Sequence, residues 1–317
     1  MPHTPASPTL TGVHMDEREQ RVLGTIDMDR LVSFLRELIA IPSLGGHERE
    51  AQDEVAAAMR EMELEVDDWD LDFPQLRTHP LFAMEVERTE GRGVVGTLKG
   101  QGGGRSLILN GHVDVVPPGD SANWRFPPWE GTPHEGRVYG RGSADMKGGL
   151  ACALFAVKAI QDAGVRLRGS LFLESVIGEE DGGVGTLATC LRGYRADGAV
   201  VVEPTELKVA PSQAGALSFR ITVPGLSAHA CVREEGVSAI EKFLPIHAAL
   251  LELEQQRNRA VQDPLYGRYR SPFALSIGRL EAGNWSSSVP ERLVAAGRYG
   301  LAVGEDPEAA RRTFEAA

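Results

Sequence analysis

The stretch SLILNGHVDVVPPGD, residues 106–120, constrains the fold of this chain more than any other. Residues 106–110 form a short apolar run with turn-forming residues on each side, the pattern of a buried strand. Gly111 lets the backbone turn closely at the strand end. His112 and Asp114 then share a face, because side chains two apart along an extended chain point the same way. An imidazole beside a carboxylate suits a metal ligand with a supporting partner. The carboxylate fixes the tautomer and makes the free nitrogen a better donor. The plainer alternative is a hydrogen-bonded histidine at a strand end, and the rest of the chain weighs against it.

Three apolar strands with intervening helices follow the same plan. Residues 169–183 (GSLFLESVIGEEDGG) read as a buried strand and turn, and 197–206 (DGAVVVEPTE) as a third apolar strand with Glu203 at its end. Helices are expected at 147–163 and 185–192. This alternation predicts an α/β fold, a mixed and mostly parallel sheet flanked by helices. Ligands in such sheets sit at the carboxyl ends of strands. His112, Glu179, Glu180 and Glu203 all fall at such ends, and Asp145 lies just before a helix, among glycines 140, 142, 148 and 149. Packing alone does not explain so many acids and a histidine delivered to one sheet edge.

Upstream, Leu31, Phe34, Leu35, Leu38 and Ile39 mark the buried face of a helix that Asp27 or Asp29 caps and Pro42 stops. A second helix is expected at 48–62, an edge strand at 64–73, a loop at 74–92 and a strand at 93–100. Residues 117–143 form a long loop anchored by Trp124, Phe126 and Trp129, and a loop of that length in a compact domain usually has a task. After Ser212 the texture changes to a half-exposed strand (216–225), a helix (236–257), two strands (271–283 and 291–303) and a last helix opened by Pro307. The expected organisation is a flexible tail over 1–26, a metal-binding catalytic domain over 27–213, and a smaller α+β lid or dimerisation domain over 214–317.

Among 317 residues the formal net charge is -12, which argues against nucleic acid or an anionic membrane surface as partner. The three cysteines, Cys152, Cys190 and Cys231, are odd in number and widely spaced. They suggest no disulfide framework and fit a reducing cytoplasm. No run of about 18 apolar residues predicts a membrane span.

One imidazole and several carboxylates make a borderline-hard ligand set suited to zinc, cobalt or manganese. A carboxylate bridging two such ions would create a two-metal hydrolytic site. Glu179 and Glu180 are adjacent and point different ways, so one can bind metal while the other faces the water. The second would be a general base, because metal lowers the pKa of water to about 7.

The chain resembles the zinc-dependent amidohydrolase and peptidase family that includes acetylornithine deacetylase, succinyl-diaminopimelate desuccinylase, glutamate carboxypeptidase and aminoacylase. The stretches GHVDVVP, GRGSADMKGG, GEED, EPT and GLSAHA carry the resemblance, in the family's order. It implies a zinc-peptidase-like catalytic domain holding two divalent metal ions. His112 and Glu203 would bind one ion, Glu180 the other, and Asp145 would bridge them. Asp114 would orient His112, Glu179 would be the general base, and the peptide bond after Asp145 would be cis. His229 would stabilise the oxyanion from the smaller domain of a partner subunit in a homodimer. The implied substrate is an N-acyl amino acid or small peptide, hydrolysed at its amide bond in the cytoplasm.

Two departures qualify the resemblance. Family members carry a further metal-binding His in a C-terminal segment, and here no histidine follows His247. The expectation is therefore that the C-terminal part of the catalytic domain lies in a longer chain; the alternative is a truncated, non-catalytic homologue that binds ligand and dimerises. Many members also have Asn-x-x-Pro in the smaller domain, and an Arg ten residues beyond that Pro to grip a substrate carboxylate. Ser287 takes the Asn place and Gly300 the Arg place. Arg298, two residues earlier and on the same strand face, and the nearby Asn284 are the remaining substrate-binding candidates.

Overall fold

The computed structural model describes residues 15–210, 213–267 and 269–317. The chain divides into two units, one ending at Leu207 and one starting at Lys208. In the first unit, α1 (Glu17–Gly24), α2 (Met28–Ala40) and α3 (Arg49–Glu61) lead into β1 (Glu65–Asp70) and the single-turn α4 (Phe73–Leu76). Then come β2 (Arg92–Leu98), β3 (Leu107–His112), β4 (Thr132–His134), β5 (Arg137–Tyr139) and α5 (Lys147–Asp162). The unit closes with β6 (Leu171–Val176), α6 (Val184–Arg192) and β7 (Gly198–Val201).

α1 falls within the tail expected over 1–26. Asp16 accepts the N–H of Glu19 while the Glu19 side chain accepts the N–H of Asp16, a reciprocal capping box that starts the helix. The proposed frayed segment, 1–14, lies outside the described residues. α2 follows its apolar spacing: Asp27 caps it, and Leu31, Phe34, Leu35, Leu38 and Ile39 are all buried.

The central sheet has the order β1-β2-β6-β3-β7. β2 pairs antiparallel with both β1 and β6, whereas β3 is parallel to β6 and β7. Only β2 therefore runs against the others, and β6, β3 and β7 end at one edge. Leu38, Ile39, Val55, Met59, Leu150, Leu154 and Leu173 fill the core between the helices and the sheet. Among the described residues β7 pairs with a strand on one side only, and Val200 and Val201 are exposed.

The long loop does contain regular structure. β4 and β5 form a hairpin too short to show a period in sequence. Phe126 packs on Tyr139 with ring centroids 4.9 Å apart, and Arg36 of α2 donates to the Gly131 carbonyl at 2.9 Å.

The second unit contains β8 (Ala216–Pro224), α7 (Ala239–Arg259), β9 (Leu275–Ala282), β10 (Arg292–Gly300) and α8 (Pro307–Ala316). Its antiparallel sheet has the order β8-β10-β9. One face packs on the helices: Leu293, Ala295 and Tyr299 of β10 and Phe243, Leu250 and Leu253 of α7 are buried.

Candidate metal centre

Three parallel strands and one helix start deliver the site. β3 ends at His112; β6 ends at Val176, three residues before Glu179; β7 ends at Val201, two residues before Glu203. α5 brings Asp145, which precedes its first turn. That helix start lies hard against the end of β7: a Cβ on Gly149 would collide with the Val202 carbonyl. Glycine there lets Asp145 and Glu203 meet.

His112 is fully buried, and its Nε2 lies 3.1 Å from Asp145 Oδ1 and 3.8 Å from both Glu179 Oε2 and Glu203 Oε1. Ligand atoms of His112, Asp145 and Glu203 all fall within 4.8 Å of one another. Glu180 stands beside this trio rather than within it. The Asp145–Met146 peptide bond is cis, as the resemblance implied.

Asp114 contacts His112 through its backbone carbonyl. His112 Nδ1 donates to the backbone carbonyl of Asp114 at 2.9 Å, which leaves Nε2 as the lone-pair nitrogen. The Asp114 carboxylate instead accepts the backbone N–H of Glu180 through Oδ2 at 3.1 Å. Its other oxygen, Oδ1, is buried without a hydrogen bond, 3.5 Å from His112 Nδ1. The local backbone turn brings the carbonyl closer to the ring than the side chain can come.

The electrostatics fit a cation. Burial alone would lower the pKa of His112, but the carboxylates of Asp114, Glu179 and Glu203 raise it. Partial burial, and then the charge of Asp145, push Glu180 up to about 7. Partial burial raises Glu203 to about 7 against the pull of His112, with Asp145 and Glu179 adding to the rise. Acids that hold protons because they are partly buried, and because like charges stand beside them, are acids that a divalent ion would neutralise together. The donor set, the imidazole nitrogen among the carboxylates and the unpartnered Asp114 oxygen all suit such an ion.

Two residues with no assigned role in the sequence reading support the site. Lys147 is fully buried, and its Nζ donates to the Leu38 and Ile41 carbonyls at 2.7 and 2.8 Å. It thereby caps the C-terminal end of α2 from the helix that carries Asp145, and burial lowers its pKa to about 7. Its place inside the GRGSADMKGG stretch was the available signal. Arg88, from the expected loop at 74–92, carries no such signal, and its buried side chain pairs with Asp181, the residue after Glu180.

The remaining candidates lie in the second unit. His229 heads a 3-10 turn, where its Nδ1 accepts the N–H of Cys231 at 3.2 Å and its backbone bridges Ser288. Asn284 lies in the turn between β9 and β10, the turn that also holds Ser287, whose carbonyl accepts the N–H of Ala230 at 3.0 Å. Arg298 is exposed in β10 opposite Ser276, whereas Ala282, at the Asn284 end of β9, faces Leu293. Asn284 and Arg298 are thus at least about 16 Å apart along the strand. The structure does not bring these two substrate-binding candidates together.

The model of Peptidase family M20/M25/M40 matches residues 108–291, more than half of the chain. The chain belongs to the M20 peptidase family. The matched M20 segment contains every residue of the metal cluster, together with His229 and Asn284; Arg298 lies beyond it. The protein is 42% identical over 174 residues to N-formyl-4-amino-5-aminomethyl-2-methylpyrimidine deformylase of Bacillus subtilis, covering 51% of this chain and 41% of that one. It is 32% identical over 231 residues to succinyl-diaminopimelate desuccinylase of Methylocella silvestris, covering 69% and 55%. The chain thus spans about half the length of these M20 relatives. The di-peptidase Dug1p of Saccharomyces cerevisiae shares the fold, with a TM-score of 0.66 at 13% identity over 94% of this chain and 76% of that one.

Proposed function

We propose that this chain carries the catalytic machinery of a metal-dependent hydrolase acting on the amide bond of an N-acyl amino acid or small peptide, with release of a carboxylate and a free amine. One observation carries the reading: His112 Nε2 lies within 3.8 Å of carboxylate oxygens from three separate segments, at Asp145, Glu179 and Glu203. The names of the relatives, a deformylase and a desuccinylase, support removal of an acyl group from nitrogen.

In this reading His112 and Glu203 would hold one ion, Glu180 would hold the other and Asp145 would be shared between them. Two divalent ions, zinc with cobalt or manganese as alternatives, supply Lewis acidity and a water acidified to a pKa of about 7. Glu179 takes a proton from the attacking water and gives it to the leaving amine, which balances the hydrolysis. Asp114 fixes the imidazole through its carbonyl and the Glu179–Glu180 backbone through its carboxylate. His229 is assigned the donor to the developing oxyanion, and Asn284, whose turn is tied to the His229 turn, is the favoured substrate contact. Arg298 is assigned to the sheet.

The second unit is assigned self-association as a homodimer. α7 supports this with Ile240, Leu244 and Leu251 exposed at helical spacing, in a stripe beside its buried face.

The test is turnover of N-formyl, N-succinyl and N-acetyl amino acids and of dipeptides by wild type and Glu179→Gln, each loaded with zinc or cobalt. Glu179→Gln is expected to lose about 10²–10⁴-fold in kcat while keeping its metal. Turnover equal to wild type would remove Glu179 as the base. No hydrolysis of any of these amides by metal-loaded wild type would remove the function.

A further inference from the structure

The Glu179–Glu180 segment is a loop, and loops do not hold ligand atoms to a few tenths of an ångström unaided. On one side the Asp114 carboxylate pins it at the Glu180 N–H. On the other it is pinned through Asp181, the next residue, by a buried cation. The Arg88 side chain is fully buried, and its two carboxylate partners, Glu48 and Asp181, are nearly so.

Arg88 Nε and Nη2 donate to Glu48 Oε1 at 2.9 and 2.5 Å, while Nη1 donates to Asp181 Oδ2 at 2.7 Å and to the Val86 carbonyl at 3.1 Å. Asp181 Oδ2 also accepts the Val86 N–H at 2.7 Å, and the Asp181 carbonyl accepts the Glu85 N–H at 2.9 Å. The two strips of chain are in close contact, since a Cβ on Gly182 would collide with the Ala83 carbonyl. Glu48 in turn is the residue that opens α3. One planar guanidinium therefore ties a helix start, the 83–88 segment and the acidic loop into a single block.

We propose that Arg88 is a positioning residue for the metal centre, acting through Asp181 to fix the Glu179–Glu180 pair, with Glu48 as its second anchor. This rests on the metal-site reading above. Solvent exposure would make such an ion pair nearly worthless, but these groups are out of water and removal of one partner leaves an unpaired buried charge. Arg88 also offsets the charge of Asp181, the acid that follows Glu179 and Glu180 in this loop.

The test is cobalt(II) titration of the 317-residue chain, followed by visible absorption, for wild type, Arg88→Lys, Arg88→Met, Asp181→Asn and the Arg88→Met/Asp181→Asn pair. Far-UV circular dichroism confirms that each variant is folded at the titration temperature. Loss of a group that orients a ligand typically weakens metal binding about 10–100-fold, and that is expected for Arg88→Met and Asp181→Asn. Their cobalt absorption bands are expected to shift, the double variant is expected to be no weaker than the worse single one, and Arg88→Lys is expected to recover part of the affinity.

A purely structural role would lower the melting temperature but leave the affinity and bands of the folded chain unchanged. That result in Asp181→Asn and Arg88→Lys overturns the positioning role alone. If Arg88→Met fails to fold, Asp181→Asn and Arg88→Lys still decide. A wild-type chain that takes up no cobalt overturns the metal reading and this proposal together.

Discussion

The carboxylate of Asp114 accepts the backbone N–H of Glu180 at 3.1 Å, while the carbonyl of the same residue accepts His112 Nδ1–H at 2.9 Å. One residue thus orients groups from two strand ends, and it does so with two chemically different acceptors. Asp114→Ala keeps the carbonyl and removes the carboxylate. The imidazole should stay in place while the Glu180 backbone is released. Metal affinity is expected to fall about 10–100-fold, as measured by cobalt titration. An unchanged affinity would show that the carboxylate contact does not matter.

Metal uptake should release protons below neutral pH. Burial and the like charges around them raise Glu180 and Glu203 to about 7, so near pH 6 each carboxyl must shed a proton before its oxygen can ligate. Near pH 9 both are already ionised. Calorimetry in buffers of different ionisation enthalpy should therefore show proton release at the lower pH and almost none from these groups at the higher one. The stability of the metal-free chain follows with the opposite sense. Between the ordinary carboxyl pKa and about 7 the folded state binds more protons than the unfolded state, so stability falls as pH rises through that window. Saturating metal should flatten the decline.

Gly149→Ala should damage both stability and site. The added methyl meets the Val202 carbonyl, so the start of α5 must move away from the end of β7. Overpacking of this kind costs about 1–3 kcal/mol, readable as a lower urea midpoint of the metal-free chain. Asp145 and Glu203 should separate with it and cobalt should bind more weakly. A surface alanine on the same helix, Lys158→Ala, should change neither.

The open side of β7 should make this chain self-associate. Its residues are exposed, Val200 and Val201 among them, and its outer backbone groups lack a strand partner within the described sheet. Val201→Lys places a charge on that strand. Light scattering of concentrated solutions should show less self-association in Val201→Lys than in wild type, whereas a lysine at exposed Leu81, far along the chain, should give no such change.

Local sequence alone settled which elements form and which residues end them. The five apolar positions between Leu31 and Ile39 gave α2 its buried face, and the runs before His112, Glu179 and Glu203 gave the strands, because a 3.6-residue or two-residue period is written in consecutive side chains. Parallel strands then leave their acids at one edge, so the candidate ligands are legible in the sequence. Short pieces escaped, such as β4 and β5 at three residues each and α1 with its single capping box.

Only the tertiary structure decided how those pieces hold one another. The preference of His112 Nδ1 for a carbonyl over the expected carboxylate depends on a backbone turn of a fraction of an ångström. The separation of Asn284 from Arg298 depends on strand register, and the burial of Arg88 on Glu48, forty residues before it, and Asp181, ninety-three residues after it, closing over it. Hydrogen bonds and ion pairs of this kind join residues with no periodic relation along the chain, so no local pattern records them.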